Sequence, residues 1–388
     1  MEISATKASL VQFAFYGGYA TMAVPAALYI RRFSYKSGIL MGLTLYAVGA
    51  FMFIPAAYFQ EFSFFCISLY VLTFGLAFLE TTANPYILSL GSKETSTRRL
   101  NLAQSFNPIG SICGMFVASS FVLANLGCDK PAVREIGFAN LPSAEKLAIR
   151  NHDLDVIRDP YVILGCVVVL MFFVILFFVK QSGKGADSDA ESNGSVKSTL
   201  SNLIRNREYR EGVVAQVFYV AVQIMCWTFI IQYAERLGID KATAQLYNIV
   251  AMGLFICARF ICTMLMKYFS SKRLLMIFAI GGMATIAGTI FLQNIYGLYC
   301  LVATSFFMSL MFPTIYGIAL ERVDAKDASL GAAFLVMAIV GGALLPPLQG
   351  LIIDLGTVAG LPAINASFSI SFICFAVIAI YGYRTLRM

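Results

Sequence analysis

Charged residues, histidine and tryptophan are all scarce in this sequence. Only 13% of its 388 residues are charged, and it contains one histidine and one tryptophan, whereas an ordinary soluble domain has about 25% charged residues. Because 59% of the residues are hydrophobic, too few polar side chains remain to cover a water-soluble globule of this length. The composition therefore excludes a typical soluble enzyme, a disordered chain and a nucleic-acid-binding protein, and it predicts a membrane protein with many spans.

The sequence also lacks the spacings of metal sites, disulfide frameworks and common catalytic motifs. None of its nine cysteines belongs to a Cys-x-x-Cys motif, and all except Cys128 lie in apolar runs. The single histidine, His152, has no partner cluster, so we expect a solvated loop residue. A phosphate-binding loop and a nucleophile elbow are absent as well. We therefore expect no enzyme, no catalytic residue, no metal site and no cofactor other than a coupling ion.

Long apolar runs dominate the chain, and a membrane helix needs about 20 largely apolar residues. Eleven runs qualify, and they cover residues 8–30, 37–58, 62–90, 99–125, 159–180, 210–233, 241–267, 272–292, 296–320, 328–353 and 361–383. The polar stretch 126–158 predicts a long loop outside the membrane, and the Ser/Gly-rich stretch 181–209 predicts a mobile linker. The expected domains are therefore a five-helix bundle over 1–180, the linker, and a six-helix bundle over 210–388.

The positions of lysine and arginine predict the orientation of the chain. Most of the 28 basic residues lie in loops that fall on one side of the predicted membrane, including the linker and the carboxy-terminus. Loops rich in Lys and Arg stay in the cytoplasm. We therefore expect a cytoplasmic carboxy-terminus and, with eleven spans, an amino-terminus on the outside.

An internal repeat points to a helix that precedes the first predicted span. Phe-Ser-Tyr-Lys at 33–36 recurs as Phe-Ser-Ser-Lys at 269–272, and Pro85 and Pro313 occupy comparable spans. Parallel repeats of six helices are typical of major facilitator transporters. We therefore expect an all-α major facilitator fold with two pseudo-symmetric bundles, eleven helices present and a twelfth missing before residue 8 through truncation or a misassigned start. A true eleven-span protein is the alternative.

Two charged residues, Glu80 and Arg259, lie deep within apolar runs. A charge at the bilayer centre costs about 2.5–3.5 kcal/mol on insertion scales, so such residues usually have a function. Burial favours a neutral carboxyl, which can ionise when water reaches it. Glu80 therefore predicts a proton-coupling site, with a permanently protonated glutamic acid as the alternative. Arg259 either extends toward the lipid headgroups or has a gating or charge-compensating role.

Amide side chains accompany Glu80 in the sequence. Asn84 precedes Pro85, which lacks a backbone donor and should open the helix. Asn101, Gln104 and Asn107 recur every three residues, so they lie along one helical face. Amides offer donors and an acceptor to sugar hydroxyls, although they can equally join helices. We take Asn84, Gln104 and Asn107 as candidate substrate-binding residues.

A second stripe combines aromatic and amide side chains. Tyr219, Gln223 and Trp227 recur every four residues along one face of the predicted sixth span. An aromatic ring suits the apolar face of a sugar, and an amide suits its hydroxylated edge. The stripe therefore predicts substrate binding, with ordinary aromatic packing as the alternative.

Two motifs in neighbouring spans resemble a known family. Leu-Glu-Thr-Thr-Ala-Asn-Pro-Tyr at 79–86 and Arg-Leu-Asn-Leu-Ala-Gln-Ser-Phe-Asn at 99–107 resemble the signature of the fucose:proton symporters of the major facilitator superfamily. The resemblance implies alternating access and uptake of L-fucose or a related hexose with a proton across the bacterial inner membrane, by a monomer. It also implies that Glu80 takes part in proton coupling and that Gln104 and Asn107 face the sugar path.

One departure from the family leaves other functions open. The family's first helix carries an aspartate that is central to sugar and proton binding, and nothing in residues 1–388 replaces it. An inactive or sensor-type remnant of a transporter is therefore one alternative, and a proton-coupled exporter of lipophilic compounds is another. The expected partners are a sugar and the lipid bilayer, without nucleic acid. Sodium remains an alternative coupling ion, because a carboxylate and amides can also ligate it.

Overall fold

A computed structural model of the chain describes residues 5–127, 141–178, 196–358 and 360–387. In the first half of the chain the α-helices are α1 (Ala5–Arg32), α2 (Tyr35–Phe51), α3 (Phe53–Phe59), α4 (Phe62–Ser89), α5 (Ser96–Gln104), α6 (Phe106–Val117) and α7 (Ser143–Phe178). The described residues of this half also include a π-helical turn, Ala118–Val122, and short 3₁₀ turns at Lys93–Thr95 and Leu123–Asn125.

The second half is also helical apart from one small hairpin. Its helices are α8 (Val196–Arg205), α9 (Arg207–Arg236), α10 (Lys241–Leu265), α11 (Ser271–Phe291), α12 (Ile295–Met308), α13 (Met311–Glu321), α14 (Ala325–Met337), α15 (Gly341–Ile353), α16 (Ala363–Ser367) and α17 (Ser369–Arg387), with a 3₁₀ turn at Ala338–Val340. The strands β1 (Thr357–Val358) and β2 (Leu361–Pro362) pair antiparallel. The prediction of an all-α membrane protein is confirmed in every long element.

Ten helical segments of the described ranges are long and apolar enough to cross a membrane. They are Tyr35–Phe59, Phe62–Ser89, Lys93–Val122, Ser143–Phe178, Arg207–Arg236, Thr243–Leu265, Ser271–Phe291, Ile295–Glu321, Ala325–Ile353 and Ala363–Arg387. Each coincides with one predicted span, and the predicted span 8–30 lies within α1. Several of these segments consist of two helices in line, as in α12 with α13 and α14 with α15.

The repeated Phe-Ser-x-Lys motif caps helices in both halves of the chain. Ser34 precedes α2 and its side chain accepts a hydrogen bond from the backbone N–H of Ser37. Ser270 precedes α11 and accepts from Arg273 in the same way. Serine is a favoured N-cap because it satisfies a backbone donor that the first turn leaves unpaired. The repeat in the sequence therefore marks the start of two equivalent helices.

By compactness the chain divides into two units. Unit 1 comprises Met1–Thr82 and Gly110–Gly185, and unit 2 comprises Ala83–Ile109 and Ala186–Met388. In unit 1, α2 packs against α7, and the rings of Phe53 and Tyr161 stack 3.8 Å apart. In unit 2, α9, α11 and α17 enclose the main hydrophobic core. The segment Ala83–Ile109 groups with the second half, because α5 packs against α10 and α13.

The stretch 126–158, predicted as a loop, is partly helical. Helix α7 begins at Ser143 and continues without a break into the apolar span. Ion pairs from Arg158 to Asp155 and Asp159 stabilise its polar first half, and His152 is exposed on this helix rather than in a loop. The prediction was wrong here because a polar helix carries no hydropathy signal. Cys128, predicted to lie in the loop, falls outside the described residues.

The stretch 181–209, predicted as a mobile linker, is also helical in its second part. Helix α8 covers Val196–Arg205, and α9 begins at Arg207. Thr199 and Leu203 are buried, and the Asn202 amide donates to Asp327 of α14 at 3.2 Å. This part of the prediction was wrong, because the Ser- and Asn-rich composition hid an amphipathic helix. The first part, 181–195, lies outside the described residues.

Candidate functional site

A buried guanidinium forms the centre of the polar site in unit 2. Arg259 of α10 is 4% exposed, and its Cζ atom lies 4.5 Å from the centroid of the Phe255 ring. Its Nε donates to the carbonyl of Ser309 at 2.6 Å, and its Nη1 donates to the carbonyl of Gln104 at 2.8 Å. The side chain is therefore held inside unit 2 and does not extend toward the lipid headgroups.

The two carbonyls that Arg259 binds share one chemical property. In an α-helix the carbonyl of residue i accepts from the N–H of residue i+4, and proline has no N–H. Pro313 stands four residues after Ser309, and Pro108 stands four residues after Gln104. Both carbonyls thus lack their helical donor, and Arg259 supplies one to each. Its planar guanidinium suits this task because it directs several donors at once.

We call Arg259 and the carbonyls of Ser309 and Gln104 the Arg259 clamp. The side-chain amide of Gln104 lies next to it. Its Nε2 donates to the Oδ1 of Asn84 at 2.8 Å, which joins α5 to the last turns of α4. Asn84 is buried and Gln104 is half-buried. The structure therefore brings together three of the predicted residues, Asn84, Gln104 and Arg259, within unit 2. Their donors and acceptors match the hydroxyls of a small polyol in chemistry.

The predicted amide stripe divides into different environments. Asn101 is fully buried, and its Nδ2 donates to the Thr97 carbonyl at 2.9 Å and to the Thr314 hydroxyl at 3.2 Å. Asn101 therefore joins α5 to α13. The stripe is interrupted after Gln104, where α5 ends, and Asn107 is exposed in the first turn of α6.

Helix α4 differs from the prediction at Pro85. The sequence predicts that Asn84 and Pro85 open the helix, but α4 runs unbroken from Phe62 to Ser89 with Pro85 inside it. Proline is tolerated in membrane helices when neighbouring groups take over the freed backbone positions. The prediction of an opened helix was wrong. At Pro108 and Pro313, the carbonyl four residues earlier is hydrogen-bonded by Arg259 instead.

The aromatic stripe of α9 lines the same part of unit 2. Tyr219 is fully buried, donates to the Met308 carbonyl at 3.1 Å and interacts with Arg259. Trp227 donates through Nε1 to the Ser305 hydroxyl at 3.2 Å, and its ring meets that of Phe255 edge-on at 5.1 Å. Gln223 is half-buried between them.

Glu80 lies in unit 1, on α4, one helical turn before Asn84. Its side chain is half-buried, and the adjacent Thr81 and Thr82 are fully buried. Tyr19 of α1 is close enough for an electrostatic interaction with Glu80, and Tyr46 and Tyr16 interact with Tyr19 in turn. A carboxyl group thus stands among phenols within apolar helices.

Sequence reasoning missed Tyr19, Ser309 and the role of Phe255. Tyr19 follows two glycines, and the position of a Cβ on Gly18 lies only 2.7 Å from Thr73 Cβ, so a close helix approach brings Tyr19 inward. The spacing of proline four residues after Ser309 and Gln104 was a readable signal of two unpaired carbonyls. Which cation would reach them depends on tertiary packing.

The fold and the buried polar site define a multi-pass membrane transporter. The family model of the Major Facilitator Superfamily matches residues 1–346, and the chain belongs to this superfamily. It is 60% identical to the L-fucose-proton symporter of Haemophilus influenzae, over 100% of this chain and 90% of the relative. It is 34% identical to the L-fucose-proton symporter of Escherichia coli, over 97% of this chain and 84% of the relative.

A solved structure gives the same result for the fold. The crystal structure of the Major Facilitator Superfamily transporter FucP in the outward conformation matches with a TM-score of 0.90 at 33% identity, covering 99% of this chain and 91% of that chain. The family that the motifs at 79–86 and 99–107 indicated is thereby confirmed.

Proposed function

We propose that this protein takes up L-fucose or a related hexose together with a proton, by alternating access across the bacterial inner membrane. The observation that carries the proposal is the 60% identity, over the whole chain, to an L-fucose-proton symporter. The protein acts as a monomer without an organic cofactor, and the proton is its coupling ion. Its carboxy-terminus lies in the cytoplasm, in accordance with the distribution of lysine and arginine.

Glu80 is the proton-coupling carboxylate in this proposal. Its support is a half-buried carboxyl in an apolar helix, since a charged residue within a membrane span is costly and usually has a function. Tyr19 interacts electrostatically with Glu80, so a change in the charge of Glu80 would alter the electrostatic environment of the Tyr19 phenol. The sugar site and Glu80 would then be exposed to the two sides of the membrane in turn as the transporter changes conformation.

The sugar contacts are assigned to the polar groups of unit 2. Gln104, Asn84 and Asn107 supply amides, and Gln223 and Trp227 supply an amide and an aromatic face. Tyr219 supports the site from behind, because its ring is fully buried. Arg259 acts as the structural charge that keeps Gln104 in place through the Gln104 carbonyl.

Uptake into proteoliposomes tests the proposed function. With an inward proton gradient, radiolabelled L-fucose should accumulate above its outside concentration, and a protonophore should abolish the accumulation. A panel of L-fucose, galactose, glucose and N-acetylglucosamine gives the substrate preference, and an inward sodium gradient at constant pH serves as the control for the ion. Accumulation driven by sodium alone, or no uptake of any sugar, would contradict the proposal.

A further inference from the structure

A pocket of 510 Å³ lies between the first turns of α9 and the last turns of α17. One wall is apolar and consists of Val214, Val377 and Ile380. Val214 and Ile380 are 48% and 53% exposed, so this wall faces the surroundings of the protein rather than its core. The pocket has the size of an ordinary small-molecule site, about 300–1,000 Å³, and it contains none of the residues assigned to sugar or proton.

The other end of the pocket is charged. Arg210, Glu211 and Arg384 line it, and Glu211 pairs with Arg384 at 2.7 Å and with Arg207 at 2.9 Å. Arg210 is exposed and forms no ion pair within the part of the chain that the structure describes. Tyr381 completes the lining and interacts electrostatically with Glu208 and Glu321, which pair with Arg322 and Lys272. With Arg207 included, five cations accompany three carboxylates around the pocket, and the excess charge is positive.

On both helices the charged residues lie at the helix end, and the apolar residues follow toward the middle of the helix. Val214 follows Arg210 by one turn, and Ile380 and Val377 precede Arg384 by one and two turns, which corresponds to about 6 and 10 Å at the rise of an α-helix. A ligand that fits has an anionic group at the helix ends and an apolar part that extends about 10 Å along the wall. This is the layout of a phospholipid at the edge of a bilayer.

We propose that this pocket binds an anionic phospholipid, with its phosphate between Arg210 and Arg384 and an acyl chain along Val214, Val377 and Ile380. Basic pockets between membrane helices on the cytoplasmic side suit anionic headgroups, and the distribution of Lys and Arg places this end of α9 and α17 on that side. A zwitterionic lipid fits less well, because its own cation would face the excess of arginine. The inference does not depend on the identity of the transported sugar.

Melting of the purified full chain in a neutral detergent tests the proposal without any sugar. Titrated phosphatidylglycerol or cardiolipin should raise the melting temperature in a saturable way, and phosphatidylcholine should have a much smaller effect. Soluble glycerol phosphate serves as the control for a free phosphate ester. Native mass spectrometry on the same samples should show one retained anionic lipid.

Three variants change the pocket in different directions. Arg210→Gln removes an exposed charge at the pocket, and should weaken the apparent affinity for phosphatidylglycerol about fivefold, since one basic residue near anionic lipid contributes about that factor. Glu211→Gln removes the carboxylate that lines the pocket and should strengthen the binding of phosphatidylglycerol. Ile380→Trp fills the apolar wall and should reduce lipid retention without changing the charge.

Arg387→Gln is the matched control, because Arg387 lies at the same helix end but contacts the ring of Tyr383 and does not line the pocket. It should leave lipid binding within twofold of the unaltered protein. Equal stabilisation by phosphatidylcholine, equal stabilisation by glycerol phosphate, or identical behaviour of Arg210→Gln and Arg387→Gln would each overturn the proposal. Weaker binding in Glu211→Gln would overturn it as well.

Discussion

The two charged residues within apolar runs, Arg259 and Glu80, lie in different surroundings. Arg259 in unit 2 has a hydrogen-bond acceptor for its Nε, another for Nη1 and an aromatic face above its guanidinium. Glu80 in unit 1 is half-buried, and one of its electrostatic neighbours is the phenol of Tyr19. Arginine stays charged in proteins, so inside a membrane it needs fixed partners. A carboxyl group, by contrast, can become neutral in an apolar setting.

The comparison distinguishes a charge that stabilises the structure from a charge that is proposed to change during transport. A fixed cation satisfies carbonyls that proline leaves unpaired, and changing it should affect folding and transport together. A titratable carboxyl can change its charge state during transport, and replacing it by an amide should affect coupling alone. The experiments below test this separation, beginning with the largest expected effect.

Replacing Arg259 by methionine should have the largest effect. The change keeps much of the side-chain volume but leaves the carbonyls of Ser309 and Gln104 without a donor. At about 1–3 kcal/mol for each buried acceptor left unpaired, the protein should lose about 2–5 kcal/mol of stability, and sugar uptake should fall at least tenfold. Thermal unfolding in detergent and uptake by proteoliposomes measure the two effects.

Arg205→Met provides the control for Arg259→Met. Arg205 is exposed at the end of α8, where a surface substitution changes stability by about 0.5 kcal/mol or less. If both variants unfolded at the same temperature, the assignment of Arg259 to the two carbonyls would be wrong.

The amides of α5 should separate sugar binding from helix packing. Gln104→Leu removes a half-buried amide that donates to the buried Asn84, and we expect the KM for L-fucose to rise about tenfold with only a modest fall in melting temperature. Asn101→Leu removes the hydrogen bonds to Thr97 and Thr314, and should lower the melting temperature while the KM stays within about twofold. The reverse pattern in uptake kinetics and melting would show that the two roles are interchanged.

A double-mutant cycle between Arg259 and Pro313 should reveal a smaller, specific coupling. Pro313→Ala restores an N–H that can donate to the Ser309 carbonyl, so Arg259→Met should cost less in that background. Contacting residues commonly couple by about 0.5–3 kcal/mol, and we expect about 1–2 kcal/mol from chemical or thermal unfolding. Additive effects within about 0.3 kcal/mol would mean that Pro313 does not create the need for Arg259.

Much of this architecture could be predicted from the sequence because the bilayer imposes a length and a polarity on each span. Each of the ten membrane-length segments matches one predicted span, the predicted span 8–30 lies within α1, and the repeated Phe-Ser-x-Lys motif marks two capped helix starts. Hydropathy does not register polar helices, so Ser143–Arg158 in α7 and Val196–Arg205 were missed. Their amphipathic patterns are short, and burial of Leu203 and Leu154 became evident only from their neighbours.

The candidate site was predictable in its residue types but not in its contacts. Glu80 and Arg259 stood out because charge is rare in the spans. The prolines four residues after Gln104 and Ser309 were a further signal, of two carbonyls without helical donors, that sequence reasoning did not use. That a single arginine from α10 serves both follows from the packing of α5, α10 and α13, and no local pattern in the sequence encodes that packing.

Proton movement during sugar entry tests the role of Glu80 most directly. Addition of L-fucose to unenergised proteoliposomes should make the outside medium more alkaline in the unaltered protein and in Glu61→Gln, which changes an exposed carboxylate just before the same helix. Glu80→Gln should still exchange labelled for unlabelled L-fucose but should produce no alkalinisation. Alkalinisation and uphill accumulation by Glu80→Gln at the rate of the unaltered protein would contradict the account.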